Sequence, residues 1–207
     1  MIRAERLSKF HGGVRALTDV TFEVARGEAV AISAALGSAP STLLRILATL
    51  LAPTSGRLDI GGVNAIAAPF EARKKLFWSG TPAITTELSV AEYLELAGAG
   101  RERHRLDPMR RADILNRTGL DSADNPLSTL DAGRRRLVDL AAAVLSGAEL
   151  ILIDEPFGAT AAPDRSAWLS LFAEARGQGA TVVVATTNAV VSGSCDRLLS
   201  LEATRAA

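Results

Sequence analysis

The chain has 207 residues, with 23 Lys+Arg against 23 Asp+Glu and a formal net charge of zero, so charge gives no argument for nucleic acid or an acidic membrane face as a partner. A single cysteine, Cys195, excludes an intrachain disulfide framework and fits a reducing compartment. The longest apolar runs, "LILID" and "TVVVATT", are strand-length and far short of the roughly 20 residues that cross a bilayer, and "MIRAERLSKF" lacks the apolar stretch of a secretory leader. The expectation is a cytoplasmic α/β protein, with any membrane role reached through a partner.

Taken in chain order, "IRAERLS" and "LTDVTFEVARGEAVAIS" predict short alternating strands around the turn Arg26-Gly27. Ser41 to Leu51 carry helical apolar spacing, closed by the breakers "APTSG". "GRLDIGG" reads as a strand and turn, and "KKLFWSG" as a buried strand leading into a loop. From Glu87 to about Gly147 the composition shifts to Ala, Leu, Glu and Arg. Helical periodicity runs through "SVAEYLELAGAG", "PMRRADILNRTGL" and "AGRRRLVDLAAAVLSG". This predicts a helical insert over 87–147 in an α/β core formed by 1–86 and 148–207. "AELILIDEP" and "ATVVVATT" are continuous apolar strands flanking the amphipathic "DRSAWLSLFAEARGQG", and "CDRLLSLEA" ends as an edge strand. The alternation predicts a largely parallel sheet covered on both faces. The basic run "RRR", Arg134 to Arg136, is expected to form a solvated face.

One stretch raises a chemical question. In "AISAALGSAPSTLLRIL" an apolar strand runs into a small-residue loop, and Ser41-Thr42 open a helix. That is the frame of the phosphate-binding loop G-x-x-x-x-G-K-[ST], whose backbone N–H groups cradle phosphates while the lysine neutralises them. Matched to it, the chain offers Ala34, Gly37, Ala39, Pro40, Ser41 and Thr42. Pro40 supplies neither an ammonium nor an N–H. A hydrogen bond to a charged group contributes roughly 1.5–3 kcal/mol, so losing both weakens phosphate binding about a hundredfold or more. Proline also simply suits the first turn of a helix, and Ser41 is equally a helix-start residue.

The order of segments carries a resemblance. "LSKFHGGVRALTDVTFEVARGEAV", "STLLRILATLLAPTSGRLDIGG", "ELSVAEYLEL", "LDAGRRRLVDLAAAVLSGAELILIDEPFGA" and "VVVATTNAVVSGSCDRLLSLE" together resemble the ATP-binding subunit of ABC transporters over essentially the whole chain. "TPAITTELSVAEYL" and the Ala-Gly of "LDAGRRR" are weakly similar to compact exporter subunits such as the ATPase of cytochrome c haem export. The resemblance implies a P-loop NTPase-like fold: a mostly parallel α/β core with an antiparallel β part and a helical subdomain.

It also implies a site for ATP and Mg²⁺. Gly37, Ser41 and Thr42 stand at phosphate-loop positions, with Ser41 and Asp154 as the Mg²⁺ residues and Glu155 as the general base for the attacking water. His11 or Phe10 falls where a ring would stack on adenine, although a solvated turn suits His11 as well. The remaining motifs depart from the family. Its Q-loop glutamine falls at Gly80 or Thr81, and its signature Leu-Ser-Gly-Gly-Gln falls at Leu130-Asp131-Ala132-Gly133-Arg134. The D-loop aspartate falls at Ala161 and the switch histidine at Thr187. The expected function is therefore a pseudo-ATPase that lends shape to a transporter, with ATP binding weak or absent and Glu155 idle. Its partners would be a transmembrane subunit, docked at residues about 77–87 through the apolar "FWSGTPAIT", and a catalytic ATPase or a second copy. No nucleic acid is expected. A weakly active exporter ATPase and a soluble regulatory protein are the alternatives.

Overall fold

The computed structural model describes residues 1–34, 39–80, 86–99, 108–120, 124–157 and 165–201. By contact the chain divides into two compact units. One comprises Met1–Trp78, Glu149–Glu155 and Gly179–Ala207, and the other Ser79–Ala148 and Pro156–Gln178.

The first unit opens with an antiparallel hairpin of β1 (Ile2–His11) and β2 (Val14–Val24). Next come β3 (Ala29–Ala34), helix α1 (Pro40–Leu47), β4 (Ser55–Ile60), β5 (Val63–Asn64), the short helix α2 (Pro69–Arg73) and β6 (Leu76–Ser79). Later parts of the chain add β7 (Leu150–Asp154), β8 (Thr181–Ala185), helix α7 (Ala189–Gly193) and β9 (Arg197–Leu201). These strands form two sheets, an antiparallel one in the order β2-β1-β4-β5 and a five-stranded one in the order β6-β7-β8-β3-β9.

In the larger sheet β3 pairs in parallel with β8 and β9, and β7 in parallel with β8. "LILID" and "TVVVA" are buried at every position, as β-branched and leucine-rich runs must be where both faces are covered. α1 turns Leu43, Leu44, Ile46 and Leu47 into a core shared with Leu7, Ile32, Leu58 and Leu152.

The second unit is helical. It holds α3 (Val90–Ala99), α4 (Pro108–Thr118), a short 3-10 helix (Leu127–Thr129), α5 (Ala132–Ser146) and α6 (Arg165–Gly177). α5 is its axis: α3, α4 and α6 all pack on it, and every residue from Arg136 to Ser146 is buried. Gly147 ends α5 in the left-handed region at φ 63°, a conformation glycine adopts without Cβ strain. Trp168, 2 % exposed, lies between Phe157 and Phe172, with both ring centroids 5.2 Å away.

Several expectations change here. The helix predicted to run to Leu51 stops at Leu47 because Thr49 enters the left-handed region at φ 57°. Leu50 N–H then reaches back to the Arg45 carbonyl and Thr49 N–H to that of Ile46, the reciprocal pair of bonds that ends many helices. Arg73 holds the turn, donating to the Thr49 hydroxyl at 2.7 Å and its carbonyl at 2.6 Å.

The strand in "KKLFWSG" is an edge strand in which Leu76 and Ser79 are buried but Phe77 and Trp78 only half-buried, and Trp78 leans on the core. The "RRR" run is no simple solvated face: Arg136 is 8 % exposed, one turn into α5 and the first residue of its buried stretch. By contact, Pro156–Gln178 groups with the helical residues rather than with the strands on either side, since α6 packs on α5.

Candidate functional site

Because β3, β7 and β8 run parallel, their carboxyl ends emerge together. Ile32 pairs with Ala185, and Ala185 with Asp154. In open α/β sheets that edge is where ligands bind. Residues 35–38, including Gly37, lie outside the described residues. The chain is described again at Ala39, which precedes α1 at φ −123° without a side-chain cap, and Pro40 is the first helical residue. There its fixed φ suits the helix and its missing N–H breaks no internal bond. It also leaves the helix start one donor and one charge short of a phosphate cradle.

The metal half of the site is better preserved. The Ser41 hydroxyl donates to Asp154 Oδ1 at 2.9 Å, and Asp154 is 1 % exposed at the end of β7. A hydroxyl and a carboxylate are hard oxygen donors of the kind that suit Mg²⁺. Glu155 follows in the left-handed region at φ 50°, its N–H bonded to the Ala185 carbonyl at 2.9 Å. Such a backbone costs a non-glycine residue roughly 1 kcal/mol or more and is found disproportionately at functional sites. Thr42 is half-buried one residue beyond Ser41. Among the described residues, Ser41 and Asp154 offer oxygen donors of the kind Mg²⁺ takes, while Pro40 brings neither charge nor N–H to the phosphates that would accompany it.

His11 ends β1 exposed, opposite Val14 in the hairpin. Phe10 is 39 % exposed, with the Arg15 guanidinium 5.8 Å from its ring centroid. Thr187 is exposed just after β8. Beside it, Thr186 is buried, and its N–H bonds the Ile32 carbonyl. Gly80 is half-buried after β6. Thr81 and the rest of residues 81–85, and Ala161, lie outside the described residues.

Asp131, at the second signature position, has a structural role. It caps α5, its carboxylate accepting the Arg134 N–H at 2.9 Å, a bond that satisfies an otherwise orphan donor. A serine would do the same, so the cap explains the short polar side chain but not its charge. Sequence reasoning also passed over Asp139, which accepts hydroxyl bonds from Ser79 and Tyr93. The signal was present: a carboxylate inside the apolar run "LVDLAAAV".

The ABC transporter family model matches residues 17–158. The macrolide export ATP-binding/permease protein MacB of Salmonella typhimurium is 30% identical over 197 residues, which cover 91% of this chain and 30% of that protein. The chain thus spans about a third of the length of the curated relatives it matches first. A solved structure of the ATP-binding subunit of an ABC transporter superposes with a TM-score of 0.86 at 25% identity, covering 98% of this chain and 86% of that one. A dimeric ATP-binding cassette in a post-hydrolysis state, bound to ADP and Pi, gives 0.85 at 23% identity, covering 98% and 94%.

Proposed function

Since the chain belongs to the ABC transporter family, we propose that it serves there as a pseudo-ATPase, a cassette that keeps the family's fold while its nucleotide chemistry has decayed. One observation carries the reading: Pro40 is the first residue of α1, where the family motif has lysine. An ammonium and an N–H are missing together at the one place where triphosphate charge would be met.

The neighbouring departures point the same way. Asp131 puts a carboxylate where a serine would bond a γ-phosphate, and at contact distance that repulsion costs about 1 kcal/mol in water and more when desolvated. Thr187 has no imidazole to hold the γ-phosphate, and Gly80 no amide to sense the metal.

A cassette of this kind works through shape. The partners consistent with it are a transmembrane subunit, contacted through residues about 77–87, and a catalytic ATPase or a second copy of this chain. Of that stretch, half-buried Phe77 and Trp78 are described, and Trp78 is in part committed to the core. Among the described residues no helix is long and apolar enough to cross a membrane, so a place on the inner face of the cell membrane would come through the partner.

Ser41 and Asp154, bonded to each other at the family's metal positions, favour a second reading, that of a weakly active ATPase in which Glu155 is the base. Phosphate release separates the two. With Glu155 idle, the wild-type protein releases phosphate at the rate of a buffer control, and Glu155→Gln changes nothing. Release well above the control that collapses in the variant would establish the weak enzyme instead.

A further inference from the structure

Asp139 lies where the apolar pattern of α5 leaves no place for charge. It is 3 % exposed. Its Oδ1 accepts the Tyr93 hydroxyl of α3 at 2.6 Å, and its Oδ2 accepts the hydroxyl of Ser79, the last residue of β6, at 3.0 Å. Arg136, one turn earlier on α5 and itself buried, is the charged group whose field reaches it. Of the charged groups on the helices packed on α5, Arg110 and Arg117 of α4 pair with Glu174 of α6, Arg111 of α4 pairs with Glu95 of α3, and Arg165 of α6 lies over the Phe157 ring. Burial pushes the Asp139 carboxyl above the usual carboxylate range, while the two hydroxyl bonds and Arg136 pull the other way. Burial, and then the carboxylate, raise the Tyr93 phenol as well, so Tyr93 keeps its proton and remains the donor.

We propose that Asp139 is a proton-binding switch of the helical unit, whose charge state sets how Ser79 and Tyr93 are held. Ionised, it draws both hydroxyl protons to itself. Protonated, the carboxyl becomes a donor to one of the two hydroxyl oxygens, and that hydroxyl turns its own proton away, so one of the two bonds reverses. Ser79 immediately precedes Gly80, and the change is delivered where the chain leaves β6. The switch stands whether or not the following stretch docks a partner.

The sign of the pH dependence follows from the raised carboxyl. Asp139 contributes stability that is fully present below the unfolded carboxylate range and is lost as pH rises through the folded-state value. Asparagine keeps the shape and can bond both hydroxyls, so Asp139→Asn removes this dependence.

Tyr93 is the only tyrosine in the chain, so a 13C label at the phenol carbon gives one resonance that reports the bond. Between about pH 4 and 9 it is expected to shift in one step in the wild-type protein, with a midpoint above the ordinary carboxylate value, and to stay flat in Asp139→Asn. In urea, the wild-type unfolding midpoint falls below that of the variant as pH rises through the same step, and the two converge on acidification. A Tyr93 resonance that does not move in the wild type, or that moves equally in the variant, overturns the proposal. If the variant does not fold, the Asp139 carboxyl-carbon resonance in the wild-type protein decides alone, and titration within or below the usual carboxylate range rejects the switch.

Discussion

Pro40→Lys is expected to raise the affinity for ATP–Mg²⁺ by roughly a hundredfold, the ratio that about 3 kcal/mol represents. Two groups return with the lysine. One is the ammonium, which can meet the β- and γ-phosphates. The other is the N–H at the start of α1, a helix end already polarised to favour anions. The opposing cost is small. Pro40 stabilises α1 only by presetting φ at its first position, while Leu43, Leu44, Ile46 and Leu47 hold the helix on the core. Ser41 and Asp154, bonded to each other at 2.9 Å, are already side by side at the positions that would hold Mg²⁺. Isothermal titration of the two proteins side by side measures the ratio. Equal affinities would mean that Pro40 does not limit binding and that the loss lies in the rest of the loop.

Trp168→Ala is expected to lower the stability of the helical unit by about 3–5 kcal/mol. Trp168 is 2 % exposed, edge-on to Phe157 at 62° and stacked on Phe172 at 18°. Its removal leaves a large cavity and also forfeits two aromatic contacts, each contributing about 0.5–1.5 kcal/mol beyond the buried area. Leu171 and Ala175 beside it on α6 are buried too, which limits how far the site can collapse. Urea denaturation followed by far-UV circular dichroism gives the difference, and a loss under about 1 kcal/mol would show that the cluster does not anchor α6.

Much of this architecture could be read before any coordinates. The runs "LILID" and "TVVVA" declare themselves as doubly covered strands, and the family resemblance names Ser41 and Asp154 together as metal positions, though not the hydrogen bond between them. What stayed hidden depends on tertiary context. α2 and α7 have five residues each, too few for a helical period to show. The stop of α1 at Thr49 is enforced by Arg73, which is 24 positions away in the chain. The apolar spacing up to Leu51 could not announce it. Arg136 looks like a surface residue by type, and only the crowding of α3, α4 and α6 on α5 turns it inward. α6 reads as a helix of the core because it lies between two core strands in sequence, yet its contacts are with α5.

The phosphate chemistry was legible in part. The departure at Pro40 can be read directly, and its position as first helical residue shows why the fold tolerates it. Asp131 was legible only as a repulsive charge, because its cap on the Arg134 N–H exists only once the helix starts at Ala132.

The central claim, that this cassette has lost its grip on nucleotide, is tested most directly by titrating ATP–Mg²⁺ into the purified wild-type protein in a calorimeter. A dissociation constant no tighter than the high-micromolar to millimolar range, roughly −4 to −6 kcal/mol, is expected. Low-micromolar affinity would contradict it.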